Sequence, residues 1–471
     1  MIVRRLLSVL RIRTAACALV MLSGCQPLPQ ASEPPPSRAA AMPAGGLGMP
    51  PMKLFSEARG GQGAITASNA DIARDFLDLA FQLESGRALE TFTRFEGPIR
   101  LRVTGAPPPG MKTELDRVLK RLRSEAGLDI RRATGGTAAN ITIQAVSGDQ
   151  IRRHLPQAAC FVVPNVTRLS DYARARRQGS ATWSALKTRE QIAIFVPNDV
   201  SPQEARDCLH EELAQALGPL NDLYRLANSV FNDDNIHTVL TPFDMLILRA
   251  YYAPELHSGM TREQVAARLP AILARLNPAG EGRASRALAA TPRSWIDAVQ
   301  DALGPGASSA ARMRAASRAL DIARREGWTD HRLAFSHYAY GRLVQATDAQ
   351  SALGHYRRAD AIYGRDPQTH IHRAFVRAQL AAHAIALDNP AEALAMLKGQ
   401  ADLARRYENA ALLASLLMLE AEALEITGRG DRAQAVRRDS MGWARYGFGP
   451  EWAVRAKLSE VAALNPAKTG G

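Results

Sequence analysis

Apolar residues in the first half of the chain alternate between helical and strand-like spacing. Residues 69–83 form an amphipathic helical pattern, and residues 111–126 repeat it with Leu115, Leu119 and Leu122 on one face. A strand is predicted over 92–104, in which Ile99, Leu101 and Val103 alternate with polar residues. Further strands are predicted from short apolar runs at 140–146, 160–163 and 191–196.

A long helix is predicted to follow these strands. Ser201 can cap it, Pro202 fits its first turn, and Glu204 can close a capping box. Gly218, followed by Pro219, ends it. A strand, a helix, several strands and one long helix together predict an α+β domain.

After about residue 290 the strand patterns stop, and Ala-rich helices joined by short turns follow. A small-large-small pattern spans 316–323, recurs at 352–359 and returns more loosely at 393–397, with spacings of 36 and 41 residues. Residues 340–367 resemble a tetratricopeptide repeat in the placing of Gly, Ala, Tyr and Pro. This favours an all-α region of TPR-like helical repeats, and an unrelated helical bundle is the alternative.

The N-terminus has the pattern of a secretion signal. Basic residues precede an apolar stretch, 14–22, that is too short to span a bilayer. Leu22-Ser23-Gly24-Cys25 resembles the lipobox of bacterial lipoproteins. The resemblance implies cleavage after residue 24 and acylation of Cys25, by palmitate among other chains, whereas an ordinary signal peptide would leave Cys25 unmodified.

These patterns divide the chain into five segments. We expect a signal peptide at 1–24, a disordered Pro/Ala/Gly-rich tether at 25–65, an α+β domain at 66–290, helical repeats at 291–450 and a C-terminal tail at 451–471. Gln26 follows the acylated cysteine, and the lipoprotein sorting rule then favours the outer membrane, facing the periplasm.

The net charge of +13 does not indicate nucleic-acid binding. Removing the four signal arginines from 59 Lys and Arg leaves 55 against 46 Asp and Glu, a net charge of +9 for the mature chain. No basic run is interleaved with aromatic residues, and an exported protein does not meet the genome. The expected partners are the membrane, through Cys25, and a protein or peptide on the helical repeats.

Two of the four cysteines remain once Cys17 leaves with the signal and Cys25 is acylated. In an oxidising compartment, Cys160 and Cys208 are expected to form a disulfide that holds the long helix against a strand. Two separately buried thiols are the alternative.

The predicted long helix carries the most informative chemistry. His210-Glu211 suggests a zinc-binding helix, but position 214 is Ala where a second histidine is needed. A shifted register resembles the metzincin proteases. It implies Glu211, Gln215 and Asn221 or Asp222 at the three ligand positions and Glu212 at the general-base position.

The downstream sequence continues this resemblance. Residues 229–232 are similar to the metzincin Met-turn with Phe231 in place of Met, and residues 240–252 are similar to the helix that follows it. Together, residues 66–265 most closely resemble the family called domain of unknown function 2927. The motifs are Cys208, Glu211-Glu212, Gln215, Leu217-Gly218, Phe231-Asn232-Asp233 and Thr241 with Asp244. This family implies a zincin-like fold but no established activity.

The ligand positions are chemically poor for zinc, which prefers imidazoles, and a hard cation such as Ca²⁺ would need more oxygen ligands. We therefore predict no cofactor and no metal. The expected arrangement is a polar network in which Gln215 and Asn221 donate to Glu211 or Glu212. His210, His237 and His257 are each expected to be surface or loop residues.

The sequence thus predicts a zincin-like domain followed by TPR-like repeats, in a membrane-anchored cell-envelope lipoprotein. We expect an inactive metzincin-like domain that works as a binding or scaffolding module rather than as an enzyme. The alternative is a metallopeptidase-like cell-envelope hydrolase with Glu212 as its general base.

Overall fold

The computed structural model describes residues 49–55, 65–286 and 288–469. The predicted signal peptide, Cys25 and most of the predicted tether lie outside these ranges. In the described part of the chain, no helix is both long enough and apolar enough to cross a membrane.

The first half is built on a five-stranded mixed sheet. Its strands are β1 (Ile99–Gly105), β2 (Ile130–Arg132), β3 (Ile141–Val146), β4 (Phe161–Pro164) and β5 (Ile192–Pro197). They lie in the order β2-β1-β3-β5-β4. Only β4 at the edge runs antiparallel, pairing Val162 with Ile194 of β5.

The structure differs from the sequence predictions for this half at three points. The strand expected over 92–104 begins only at Ile99, because Pro98 and the residues before it form irregular chain. The three-residue β2 was not predicted, since its length is too short to show alternation. With helices between largely parallel strands, this half is an α/β region rather than the expected α+β arrangement.

Among the described residues, seven α-helices accompany the sheet: α1 (Asn69–Phe81), α2 (Met111–Glu125), α3 (Gly148–Arg152), α4 (Leu169–Arg177), α5 (Pro202–Leu217), α6 (Pro242–Tyr251) and α7 (Arg262–Leu276). Successive β5 side chains point to opposite faces of the sheet. Ile194 joins the large core under α1, α2 and α5, whereas Phe195 joins a smaller core with α3 and α4.

Helix α5 follows β5 and packs against β5 and β4. The predicted cap is confirmed, since the Ser201 side chain accepts a hydrogen bond from the Glu204 backbone N–H and Pro202 stands in the first turn. The return bond from the Glu204 side chain that a capping box requires is not among the contacts of the described residues. The helix ends at Gly218. The predicted disulfide between Cys160 and Cys208 is confirmed, with 6.0 Å between the two Cα atoms, and it ties α5 to the start of β4.

The second half is all helical. Its helices are α8 (Arg293–Leu303), α9 (Ser309–Arg325), α10 (His331–Val344), α11 (Ala349–Tyr363), α12 (His370–Ala386), α13 (Pro390–Leu397), α14 (Gln400–Arg406), α15 (Ala410–Ile426), α16 (Gly430–Gly447), α17 (Glu451–Ala462) and α18 (Pro466–Thr469). They pack chiefly as the pairs α8/α9, α10/α11, α12/α13 and α15/α16. Helix α17, in the stretch predicted as a tail, packs against α15 and α16.

The repeated small-large-small pattern falls on the second helix of three successive pairs. Ala352, Tyr356 and Ala359 of α11 are fully buried, and the corresponding residues of α9 and α13 are also buried. Gly341 of α10 lies so close to the Tyr356 ring that a Cβ there would approach it to 2.8 Å. Small residues therefore let the paired helices approach closely.

The two halves are joined by buried polar contacts. Arg206 of α5 is 1% exposed and donates to the Glu408 carbonyl oxygen at 2.7 Å. Arg117 of α2 pairs with the Glu408 carboxylate at 3.0 Å. Residues 49–55, within the predicted tether, lie along α16, where Phe55 packs on Trp443 with ring centroids 4.8 Å apart.

Candidate functional site

The C-terminal end of α5 is fixed by a buried arginine. Arg189 donates to the backbone carbonyls of Gln215 at 2.6 Å and Ala216 at 2.9 Å, and also to that of Gly218. The last carbonyls of a helix carry the negative end of the helix dipole, so a guanidinium at this position both bonds them and compensates their partial charge. Tyr251 packs so closely on Gly218 that a Cβ there would lie 2.8 Å from its ring.

Carboxyl groups from α5 and the loops around it form an acidic cluster. Its members are Glu84, Glu211, Glu212, Asp222 and Asp233. Burial, together with the repulsion from Glu84 and Asp233, raises the pKa of Glu211 to about 8. Burial and neighbouring carboxylates likewise raise the pKa values of Glu212 and Asp222 well above their usual range.

Two oxygens in this acidic cluster are left without partners. Glu212 is 5% exposed, and its Oε2 has no hydrogen-bond partner among the described residues. Asp222 Oδ1 likewise has no hydrogen-bond partner among the described residues. Buried oxygens without a donor favour the protonated, neutral carboxyl groups.

Glu84 and Asp233 were not predicted as site residues. The Gln215 amide donates to Glu84 Oε1 at 3.3 Å, and the Tyr224 hydroxyl donates to Asp233 Oδ2 at 3.0 Å. Asp233 stands in the Phe231-Asn232-Asp233 motif, so this signal was present in the sequence. Glu84 lies in a short exposed loop after α1, where the sequence carries no motif to mark it.

The hydrogen bonds predicted for the site are wrong. Asn221 donates to the Asp78 carbonyl oxygen at 3.0 Å and makes a longer contact of 3.5 Å with Gln82, which ties it to the end of α1. Gln215 donates to Glu84 rather than to Glu211 or Glu212. Gln215 and Asn221 therefore contact different neighbours. In the described ranges, no three His, Cys, Asp or Glu side chains are placed to hold a metal ion.

The expectation of a surface or loop location fails for His210. It is buried on α5, accepts from the Leu240 backbone N–H at Nδ1 and donates from Nε2 to Glu114 at 3.0 Å. Burial alone would raise the pKa of Glu114, but His210 and the nearby arginines lower it to about 2. His257 is exposed in a loop, as expected. His237 lies in a loop at the junction with the helical region, and burial lowers its pKa to about 4.

The loop after α5 is tied to α6 by Asp244. This carboxylate accepts from the Ser229 hydroxyl at 2.5 Å, the Val230 backbone N–H at 3.2 Å and the Thr241 backbone N–H at 2.7 Å. Thr241 and Asp244 form the capping box that starts α6. The side chain of Phe231, at the position where the metzincin resemblance places Met, is fully buried beneath this loop.

The first half is thus an α/β domain whose central helix carries an acidic cluster, joined to a region of packed helix pairs. Residues 69–271, from α1 into α7, match the family described as protein of unknown function DUF2927. This segment is a DUF2927 domain, as the sequence motifs predicted, and the helical region follows it. No curated protein and no solved structure matched the chain.

Proposed function

We propose that this chain is a membrane-anchored lipoprotein of the cell envelope whose DUF2927 domain is zincin-like but not hydrolytic. Together with a TPR-like helical region, the domain serves as a binding and scaffolding module. In this proposal the protein faces the periplasm from the outer membrane, held by acylated Cys25.

The observation that carries the proposal is the burial of Glu212, together with hydrogen bonds from α8 to two members of the acidic cluster. Arg293 donates to the Glu84 carbonyl oxygen at 2.8 Å, and Gln300 contacts Asp233 Oδ2 at 3.4 Å. A general base must reach the proton that it removes from substrate or water. Glu212 is only 5% exposed, so a polypeptide substrate has little direct access to it.

The zincin-like part of the proposal is supported by the mixed sheet with its antiparallel edge strand and by α5 packed against it, the kind of arrangement that the metzincin resemblance implies. The TPR-like part is supported by the buried small-large-small residues of α9, α11 and α13. Stacked helix pairs expose extended surfaces that suit protein or peptide partners.

A hydrolase remains the second candidate, favoured by Glu212. A buried carboxyl with a strongly raised pKa and an unpartnered oxygen is a recurrent feature of general acids and bases. Stoichiometric zinc in the purified protein, lost in Glu211→Ala and Gln215→Ala, together with peptide hydrolysis lost in Glu212→Gln, would establish this candidate.

The scaffold proposal can be tested by placing a photo-crosslinking residue at exposed positions of the full chain in its native cells. Leu387 and Trp452, which are 70% and 55% exposed, sample the helical region, and exposed Lys112 of α2 is the matched control. We expect a discrete adduct from the helical positions only, unchanged in Glu212→Gln. The absence of adducts from both helical positions, or their loss in Glu212→Gln, would refute the proposal.

The membrane anchor has its own test. The Cys25→Ser variant should move from the membrane fraction to the soluble periplasmic fraction, because the acyl chains are added to the cysteine thiol. Retention of this variant in the membrane fraction would contradict lipidation at Cys25.

A further inference from the structure

Residues 49–55, which fall within the predicted tether, are fixed to the surface of α16. The Lys53 backbone N–H donates to the Gly442 carbonyl oxygen at 3.0 Å, and the Arg445 guanidinium donates to the Pro50 carbonyl oxygen at 2.7 Å. The chain that leads back to the predicted lipid anchor therefore reaches the folded body at one defined place on α16.

Basic side chains surround this place. Exposed Arg438 lies two helical turns before Arg445, and therefore on the same side of α16. Lys53 pairs with Asp439, and Arg405 of α14 lies 4.0 Å from the same carboxylate. The side chains of Lys53 and Arg405 are 48% and 41% exposed, so both charges face solvent. We call this surface the tether face, and it is formed by Lys53, Leu54, Arg405, Arg438 and Arg445.

The tether face carries more cations than acids. Among the described residues, Arg438 has no acid within ion-pair distance, and Arg445 contacts a neutral carbonyl oxygen. Asp439 is shared between two of the cations, and Asp402 pairs with Arg405 at 2.7 Å. Four cations are thus set against two carboxylates, and the net positive charge that remains attracts an anionic surface.

The proposed acylation of Cys25 would bring a membrane close to this face. Met49 follows Cys25 by 24 residues. A flexible chain of that length has a root-mean-square end-to-end distance of about 25 to 30 Å, and its full extension is about 80 Å. Helix α4 packs on the face of the sheet opposite to α5, and α16 packs against α5. The anchor therefore holds the tether face nearest to the membrane, whereas α4 lies several layers of about 10 Å farther away.

We propose that the tether face lies against the membrane, with its cations on the headgroups of anionic phospholipids. Leu54, which is 53% exposed among these cations, enters the interfacial layer of the bilayer. Basic residues are attracted to an anionic bilayer within about one Debye length, which is about 10 Å in 0.1 M salt. This inference rests on the proposed acylation of Cys25 and goes beyond it, because an anchor alone leaves the orientation of the protein free.

Fluorescence of the acylated full chain in vesicles tests this orientation. With Cys25 acylated and Cys160 bonded to Cys208, the thiol introduced by Leu54→Cys is left free for a fluorescent label. In phosphatidylcholine vesicles with added phosphatidylglycerol, lipids with a nitroxide headgroup should quench this label severalfold more than a label on Ser170→Cys, an exposed position of α4. The excess should fall severalfold in pure phosphatidylcholine vesicles, and also in about 1 M salt, where the Debye length is about 3 Å.

Charge variants test whether the tether face makes the contact. Arg405→Gln/Arg438→Gln should lower the quenching at position 54 severalfold. Arg176→Gln/Arg177→Gln removes the same charge from exposed positions of α4, so it is the matched control and should leave the quenching unchanged. Equal quenching of the two labels, equal quenching in pure phosphatidylcholine vesicles, or an equal loss in the control variant would overturn the proposal. If the wild-type chain fails to float with vesicles of either composition, the proposed acylation is wrong, and this inference fails with it.

Discussion

Replacing Glu211 by glutamine should stabilise the protein, and the gain should grow with pH. In the fold, burial and the neighbouring carboxylates hold the pKa of Glu211 at about 8, against an ordinary value of 4.5. The unfolded chain ionises this group above its ordinary pKa, whereas the folded chain keeps it protonated. The wild-type protein therefore loses stability as pH rises between these two values, and glutamine removes that loss.

The size of the effect follows from the gap between the two pKa values. At about pH 7.5 the unfolded carboxyl lies roughly three pH units above its ordinary pKa, which corresponds to about 4 kcal/mol at ~1.4 kcal/mol per unit. The Glu211 side chain is only partly buried, and side chains around it can rearrange. Both effects reduce the free-energy difference. We therefore expect a gain of about 2 to 4 kcal/mol at this pH and almost none near pH 5.

Urea-induced unfolding of the wild type and of Glu211→Gln at these two pH values measures the difference. Glu90→Gln is the matched control, since Glu90 is an exposed loop carboxylate in the same domain. An equal stability of Glu211→Gln and wild type at the higher pH would show that Glu211 is ionised and solvated. The explanation by burial and charge repulsion would then be wrong.

Three further changes test the packing. Arg206→Met should lower the free energy of unfolding by about 3 to 5 kcal/mol, because it leaves the buried Glu408 carboxylate with less compensating charge, and thermal denaturation would detect this. The double variant Cys160→Ser/Cys208→Ser should lose about 4 kcal/mol by urea unfolding, since it releases a loop that spans 48 residues. Gly447→Ala should lower the melting temperature, with a cost of about 1 to 3 kcal/mol, because its Cβ would lie 2.5 Å from the α15 backbone. Unchanged stability in any of these variants would contradict the corresponding contact.

The sequence predicted those elements whose ends are set by residues close to them in the chain. Ser201, Pro202 and Gly218 define the ends of α5 through capping and backbone preferences, and the structure confirms them. The pairing of Cys160 with Cys208 followed from the count of cysteines left after processing. Three residues of β2 carry no such signal, because their strand conformation depends on pairing with β1.

The candidate site was harder to predict because its hydrogen bonds cross between distant segments. Gln215 was placed correctly on α5, but its partner Glu84 comes from 131 residues earlier in the chain. The sequence suggested that His210 lies on the surface or in a loop, whereas in the structure it is buried and donates to Glu114 of α2. Sequence periodicity gives the face of a helix on which a residue lies, but not which segment packs against that face.

The acidic residues near α5 have two different electrostatic surroundings, which shift their pKa values in opposite directions. Glu114 is buried beside His210 and nearby arginines, which hold its pKa at about 2. Glu211 faces other carboxylates, which raise its pKa to about 8. Cations thus compensate the buried acid where the helical region docks on α2 and α5. In the acidic cluster, Arg293 acts on Glu84 and Asp233, whereas the charges that shift the pKa of Glu211 are other carboxylates. Since one neutral substitution at Glu211 should remove much of the resulting cost, the carboxyl groups of this cluster do not hold the fold together.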